Sequence, residues 1–192
     1  MQQSYIPIID ISPLYSIDAN DWQEVANAID QACRESGFFY VTGHAISAQR
    51  IADLSKLYQD FFALPVEEKL KIDITQTTHH RGYGHFGTEQ LDPSKPGDFK
   101  ETFDMGRNLP ADHIDVLANK PLHGTNQYPD MAGFQELVET HYWDMIELGK
   151  TILKGLAIAL KLDPHYFDNS FTEPLSVLRF IHYPNIYSTY QI

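Results

Sequence analysis

Met131, Phe134, Val138, Tyr142, Met145, Leu148, Ile152, Leu156 and Leu160 follow one another at spacings of three and four. That period puts all of them on one face of a helix about thirty residues long, and a stripe of that length needs the rest of the chain to cover it. Shorter signals surround it. "YIPIIDI" at residues 5 to 11 is β-rich and closed by Ser12-Pro13, which reads as a strand. Trp22, Val25, Ile29, Ala32 and Cys33 then recur at helical spacing, with Asn20 or Asp21 able to cap and Gly37 after the end. "FFYVTGH" supplies a second strand, and Ser47 is placed to cap a helix whose apolar face is Ile51, Leu54, Tyr58 and Phe61 or Phe62. Residues 73 to 128 are punctuated by Gly and Pro into an irregular segment with short β-like runs such as "KETFDMG". After the long helix, Asp163-Pro164 can open one further turn, and "LSVLRFIHYP" reads as a strand. The order is strand, helix, strand, helix, irregular segment, long helix, strand.

Composition narrows the function classes. A chain of 192 residues, 43% hydrophobic, is long enough to bury a core. Its net charge of -12 is spread along the sequence, which argues against nucleic acid or an anionic membrane as partner, since both need a basic face. The single cysteine, Cys33, excludes an internal disulfide, and its spacing predicts a small buried hydrophobe. The start of the chain has neither a basic flank nor a long apolar run, so the expectation is a soluble cytoplasmic protein.

The strings "IPIIDIS", "ESGFFYVTGHAIS", "FFALPVEEKLKI", "RGYGHFGTEQ", "DFKETFDMG", "HGTNQYPD" and "LRFIHYP" occur in this order over residues 6 to 184. Together they resemble the N-terminal region of the isopenicillin-N-synthase-like family of iron(II)- and 2-oxoglutarate-dependent oxygenases. The acidic "GTEQ" loop and the spacing of "HGTNQYPD" are most similar to bacterial enzymes of the ethylene- or succinate-forming type. The resemblance implies an α+β fold in which N-terminal helices and strands buttress a double-stranded β-helix, or jelly roll, with the catalytic barrel incomplete in this chain. Residues 1–126 would be the dioxygenase N-terminal domain, and residues 127–192 the long supporting helix with the first jelly-roll strand.

What the resemblance implies about chemistry follows from ligand type. In the family, Fe(II) is held by a His-x-Asp pair and a distant His, which suit ferrous iron, and an Arg-x-Ser pair clamps 2-oxoglutarate. All of these come after the "HYP" strand, and "NIYSTYQI" contains no His, Asp, Gly or Arg. The expectation is therefore the N-terminal portion of an oxygenase that oxidises a small molecule while converting 2-oxoglutarate to succinate and CO2. By itself such a chain would lack catalytic and metal residues, bind neither cofactor and be inactive. The alternative is a non-catalytic remnant or binding module, able to associate with itself through an unpaired sheet edge.

Three residues carry binding expectations from the family. Tyr183, before Pro184, matches a tyrosine whose hydroxyl turns toward 2-oxoglutarate. Arg179 falls on the same strand face four residues earlier and would meet a substrate carboxylate, or else an internal acid. Glu89, in "GTEQ", matches an acidic position that holds a cationic substrate. "DFKETFD" is expected to be a structural strand. The one His-x-Asp string, His113-Ile114-Asp115, lies in a Pro-rich loop with no strands to fix three ligands, so a solvated polar loop is the expectation there. His79 and His80, adjacent on an extended stretch, should point apart instead of sharing an ion.

Overall fold

The computed structural model describes residues 6–90, 92 and 94–184; the terminal "NIYSTYQI" lies outside the described residues, as does Tyr5 of the first strand reading. Contacts divide the chain into two compact units, Met1–Ala48 with Thr140–Pro174, and Gln49–Glu139 with Leu175–Ile192. Helices and strands are mixed, in keeping with the element order read from the sequence. No helix among the described residues is long and apolar enough to cross a membrane.

In the first unit, β1 (Ile8–Asp10) and β2 (Tyr40–Thr42) pair in parallel, joined through α1 (Trp22–Glu35). The side chains of Ile9 and Ile11 point to one face of β1, where they pack with Leu14, Val25, Ile29 and Ala32. Leu148, Ile152 and Leu156 of α5 (Phe134–Ala159) cover that cluster from the other side. Their approach is close: a Cβ on Gly155 would come within 2.8 Å of Ile29 Cδ1, and that side chain would have to shift. Lys154 donates to the Leu14 carbonyl at 2.8 Å and lies 3.4 Å over the Trp22 ring, while burial pulls its pKa down.

One expectation fails here. Cys33 is exposed, because the buried stripe of α1 is Val25, Ala26, Ile29 and Ala32, and the next residue along turns about 100° out of it. Along the stripe of α5, Phe134, Val138 and Tyr142 are buried, whereas Met145 is exposed, as is Leu160 just past the helix end.

The second unit is built on an antiparallel sheet in the order β3 (Gly82–Gly84), β4 (Glu101–Gly106), β5 (Val177–His182). β4 is buried at every position, as a central strand should be. Over one face lies α2 (Ala48–Phe62), which opens one residue after Ser47; its Leu54, Phe61 and Phe62 are buried, but Ile51 is exposed. Phe61 meets Tyr83, Phe103 and Phe134 with ring centroids 5.4–6.1 Å apart, in edge or tilted contacts. The irregular segment is held by buried polar groups instead of a ladder. Arg81, 1% exposed, donates to the carbonyls of His79, His80 and Leu122, and Asn126 bonds both main-chain groups of Gly106.

The core face of the sheet also contains one carboxylate. Glu101, buried beside α3 (Val66–Leu70), accepts from Lys69 Nζ at 2.5 Å, from the Tyr83 hydroxyl at 2.5 Å and from His182 Nδ1 at 2.9 Å. Burial alone would raise its pKa, but the three donors, Lys69 first, together hold it below the ordinary 4.5. The charge is tolerated because each oxygen is satisfied.

Two outcomes are expected. Glu101 has a lowered folded-state pKa, so its contribution is complete above about pH 4.5 and drains away as pH falls through the folded value. Urea titrations across pH 2–6 should show an acid limb that is shallower in Glu101→Gln, and Lys69→Met should cost about 3–5 kcal/mol at neutral pH by stranding the carboxylate. Gly43 has φ +69°, and a Cβ there would meet Asp10 Oδ1 at 2.0 Å and Ser12 Cβ at 2.9 Å. Gly43→Ala should therefore lower the unfolding free energy by about 1–3 kcal/mol in the same assay.

Candidate functional site

Alternation along β4 separates two chemistries. Glu101, Phe103 and Met105 turn to the core, while Thr102 and Asp104 turn to the opposite face. The pairing Glu101↔His182, Asp104↔Arg179 extends this division to β5, so that each carboxylate has a nitrogen base directly across from it. On β3, Tyr83 faces the core, and the flanking Gly82 and Gly84 leave the other face without side chains. A cavity of about 510 Å³ opens on that face, and its walls include Gly84, Thr102, Asp104 and Arg179.

Five charged side chains line this cavity in an alternating chain. Arg179 makes a two-pronged contact with Asp104, Nε to Oδ1 at 2.8 Å and Nη2 to Oδ2 at 2.6 Å. Its Nη1 reaches Glu89 Oε1 at 2.5 Å. Glu89 Oε2 meets Lys100 Nζ at 2.7 Å, and Lys100 in turn donates to Asp98 at 2.8 Å. Lys100, with Arg179 beyond it, holds the Glu89 carboxyl below the ordinary range, and Asp104 raises the Arg179 pKa, so both stay ionised at neutral pH. The chain runs acid, base, acid, base, acid, leaving one negative charge in excess. Asp104 is 2% exposed and its pairing with Arg179 is geometrically fixed; Glu89 and Arg179 are each about a third exposed, so their contact is the one open to competition from solvent or a ligand.

Of the residues singled out in the sequence, Glu89 and Arg179 are thus brought together, 90 positions apart in the chain. Arg179 takes the internal-acid arrangement. Tyr183 does not join them: it is 69% exposed and lies outside the cavity lining, although the alternation of exposure along β5 continues to it. Asp98, Lys100 and Asp104, which the sequence reading treats only as parts of a structural strand, belong to the same wall. Their signal is present in "DFKETFD" itself, whose positions 98, 100, 102 and 104 are polar at period two and all line the cavity.

His79 and His80 separate at a turn and not on an extended stretch. His79 packs on Gly124 and bonds the Thr125 carbonyl at 2.9 Å, while His80, with φ +55°, and His85 line the cavity. His113 accepts from the Asp115 backbone N–H at 3.2 Å and caps the short helix α4 (Ile114–Leu117), and Asp115 pairs with Lys120 at 2.5 Å. That use of both side chains fits a capped turn and not a metal centre. Among the described residues no three His, Cys, Asp or Glu side chains are grouped to hold one ion. A dicarboxylate such as 2-oxoglutarate does not fit the cavity's donor set either, because Arg179 and Lys100 already face carboxylates on two sides each. The donor set of this cavity therefore suits neither Fe(II) nor 2-oxoglutarate.

Comparison with known proteins gives the chain its context. Residues 6–131 match the family described as non-haem dioxygenase in morphine synthesis N-terminal. A homoarginine-6-hydroxylase from Arabidopsis thaliana is 36% identical over 195 residues, covering 96% of this chain and 53% of its own length. Two solved structures are similar. One is a 2OG-Fe(II) oxygenase family protein from Caulobacter crescentus, with a TM-score of 0.78 at 29% identity over 95% of this chain and 57% of that one. The other is a full-length Neurospora crassa protein crystallised in complex with alpha-KG, with a TM-score of 0.75 at 26% identity over 93% and 54%. The chain spans about half the length of the curated relatives it matches. It belongs to the non-haem dioxygenase N-terminal family of the 2-oxoglutarate- and Fe(II)-dependent oxygenases.

Proposed function

We propose that this chain forms the substrate-recognising N-terminal part of an oxygenase that oxidises a small molecule while converting 2-oxoglutarate to succinate and CO2, its three-stranded sheet being one portion of the jelly roll. The observation that carries the reading is the cavity whose wall is the chain Asp98, Lys100, Glu89, Arg179, Asp104. Iron and 2-oxoglutarate would supply the oxidising power in the whole enzyme. On this reading Tyr183, exposed at the end of β5, offers its hydroxyl to the cofactor side.

Substrate class follows from charge. A ligand with a carboxylate and a distal cation can replace the exposed Glu89–Arg179 contact term for term, its cation on Glu89 and its carboxylate on Arg179. The exchange costs little, because the one charged contact broken between Glu89 and Arg179 is replaced by one contact to the ligand at each of them. Asp104 keeps Arg179 in place throughout. A neutral ligand would break the pair and return nothing. Charge therefore favours an amino acid ending in a guanidinium or ammonium, in keeping with the substrate named for the Arabidopsis relative and with the ethylene-forming type of enzyme that the "GTEQ" loop resembles.

The expected outcome is saturable binding of L-homoarginine by the chain, followed by amide chemical shifts of residues 84–104 and 177–182, with L-norleucine at least about tenfold weaker. Glu89→Gln should weaken homoarginine about tenfold while leaving the urea midpoint within error, since the carboxylate is partly exposed. Equal affinity for norleucine, or shifts confined to other parts of the chain, would overturn the assignment.

A further inference from the structure

A second cavity, of about 570 Å³, lies entirely within the first unit, between β1 and one stripe of α1. We propose that it is a docking groove for an extended basic segment of a partner protein, which adds to the sheet as a strand beside β1. This goes beyond the oxygenase reading and does not depend on it.

Backbone geometry provides the open edge. β2 uses one side of β1: the Pro7 carbonyl accepts from Tyr40 N at 2.8 Å, and Ile11 N donates to the Thr42 carbonyl at 2.9 Å. By the alternation of a strand, the N–H and C=O groups of Ile8 and Asp10 face the other way. No strand pairs with that edge among the described residues, and both Ile8 and Asp10 line the groove. An open edge of this kind is the template that strand-adding peptides use.

Charge selects the occupant. Asp10, Asp21, Glu24 and Glu35 lie in the lining, and no lysine or arginine does. None of the four has a cationic partner among the described residues, although Asp10 accepts from Ser12 N and Glu35 from Gln31. Along α1, Glu24, Ala28, Gln31 and Glu35 share one stripe at spacings of three and four, and Asp21 lies just before the helix. A lysine or arginine on an added strand would lay its methylene stem over Ala28 and place its charge at Glu24. The edge supplies main-chain bonds and the acids of the lining select for basic residues. A second copy of this chain, at net charge -12, is the wrong occupant for such a surface.

The probe is a synthetic octapeptide alternating lysine and threonine, labelled and followed by fluorescence anisotropy against the full chain. Saturable binding is expected. Methylating every backbone nitrogen keeps the charge but removes the main-chain donors, and should weaken binding at least tenfold. The double variant Glu24→Lys with Glu35→Lys changes only exposed positions and should also weaken it at least tenfold, with an unchanged melting curve. A glutamate–threonine octapeptide should not bind. Absence of saturable binding, equal binding of the methylated peptide, or equal binding of the acidic one would overturn the proposal, and none of these results bears on homoarginine binding in the other cavity.

Discussion

The register of β5 on β4 is the constraint from which most of the second unit follows. With Glu101 opposite His182 and Asp104 opposite Arg179, a single antiparallel pairing puts one ionised carboxylate on each face of a strand that is buried throughout. A slip of β5 by one residue would turn Phe180 out of the core and Arg179 into it, leaving Asp104 without its arginine. Side-chain charge thus joins apolar packing in specifying the pairing.

The two faces use that charge differently. On the core face, Glu101 is enclosed by Lys69, Tyr83 and His182, which ties α3, β3 and β5 to one residue of β4. A carboxylate placed so is costly to desolvate, and only full satisfaction of its oxygens makes the arrangement sustainable. On the cavity face, Asp104 is equally buried, but its partner continues outward through Glu89 and Lys100 to Asp98. Exposure rises from Asp104 at the sheet to the Arg179–Glu89 pair beyond it. Such a gradient suits recognition, since the inner contact orients a guanidinium whose outer contact is exchangeable.

Much of this is legible in the sequence, and what is not has identifiable causes. The helices and strands follow from period and punctuation, and the family strings run through them in order. Arg179 and Glu89 stand out through the resemblance; their direct contact does not, because nothing local links a loop at 89 to a strand at 179. In "DFKETFD" the phenylalanines draw attention away from the polar period that lines the cavity. Cys33 is misplaced because it sits at the margin of a stripe, where a turn of 100° separates burial from exposure. Arg81 and Asn126, which organise the irregular segment through carbonyls and amides distant in sequence, leave no pattern to read. The groove beside β1 is equally silent, since an open edge is a property of pairing and not of composition.

Whether charge fixes the sheet register can be measured in the coupling between Asp104 and Arg179. A double-mutant cycle with Asp104→Asn and Arg179→Met, read by urea denaturation at neutral pH, isolates their interaction from the cost of each change. Arg179→Met alone should be costly because it strands a buried carboxylate, and the double variant should regain stability, with a coupling of about 1–3 kcal/mol. Costs that add to within about 0.5 kcal/mol would mean that the pair does not hold the register.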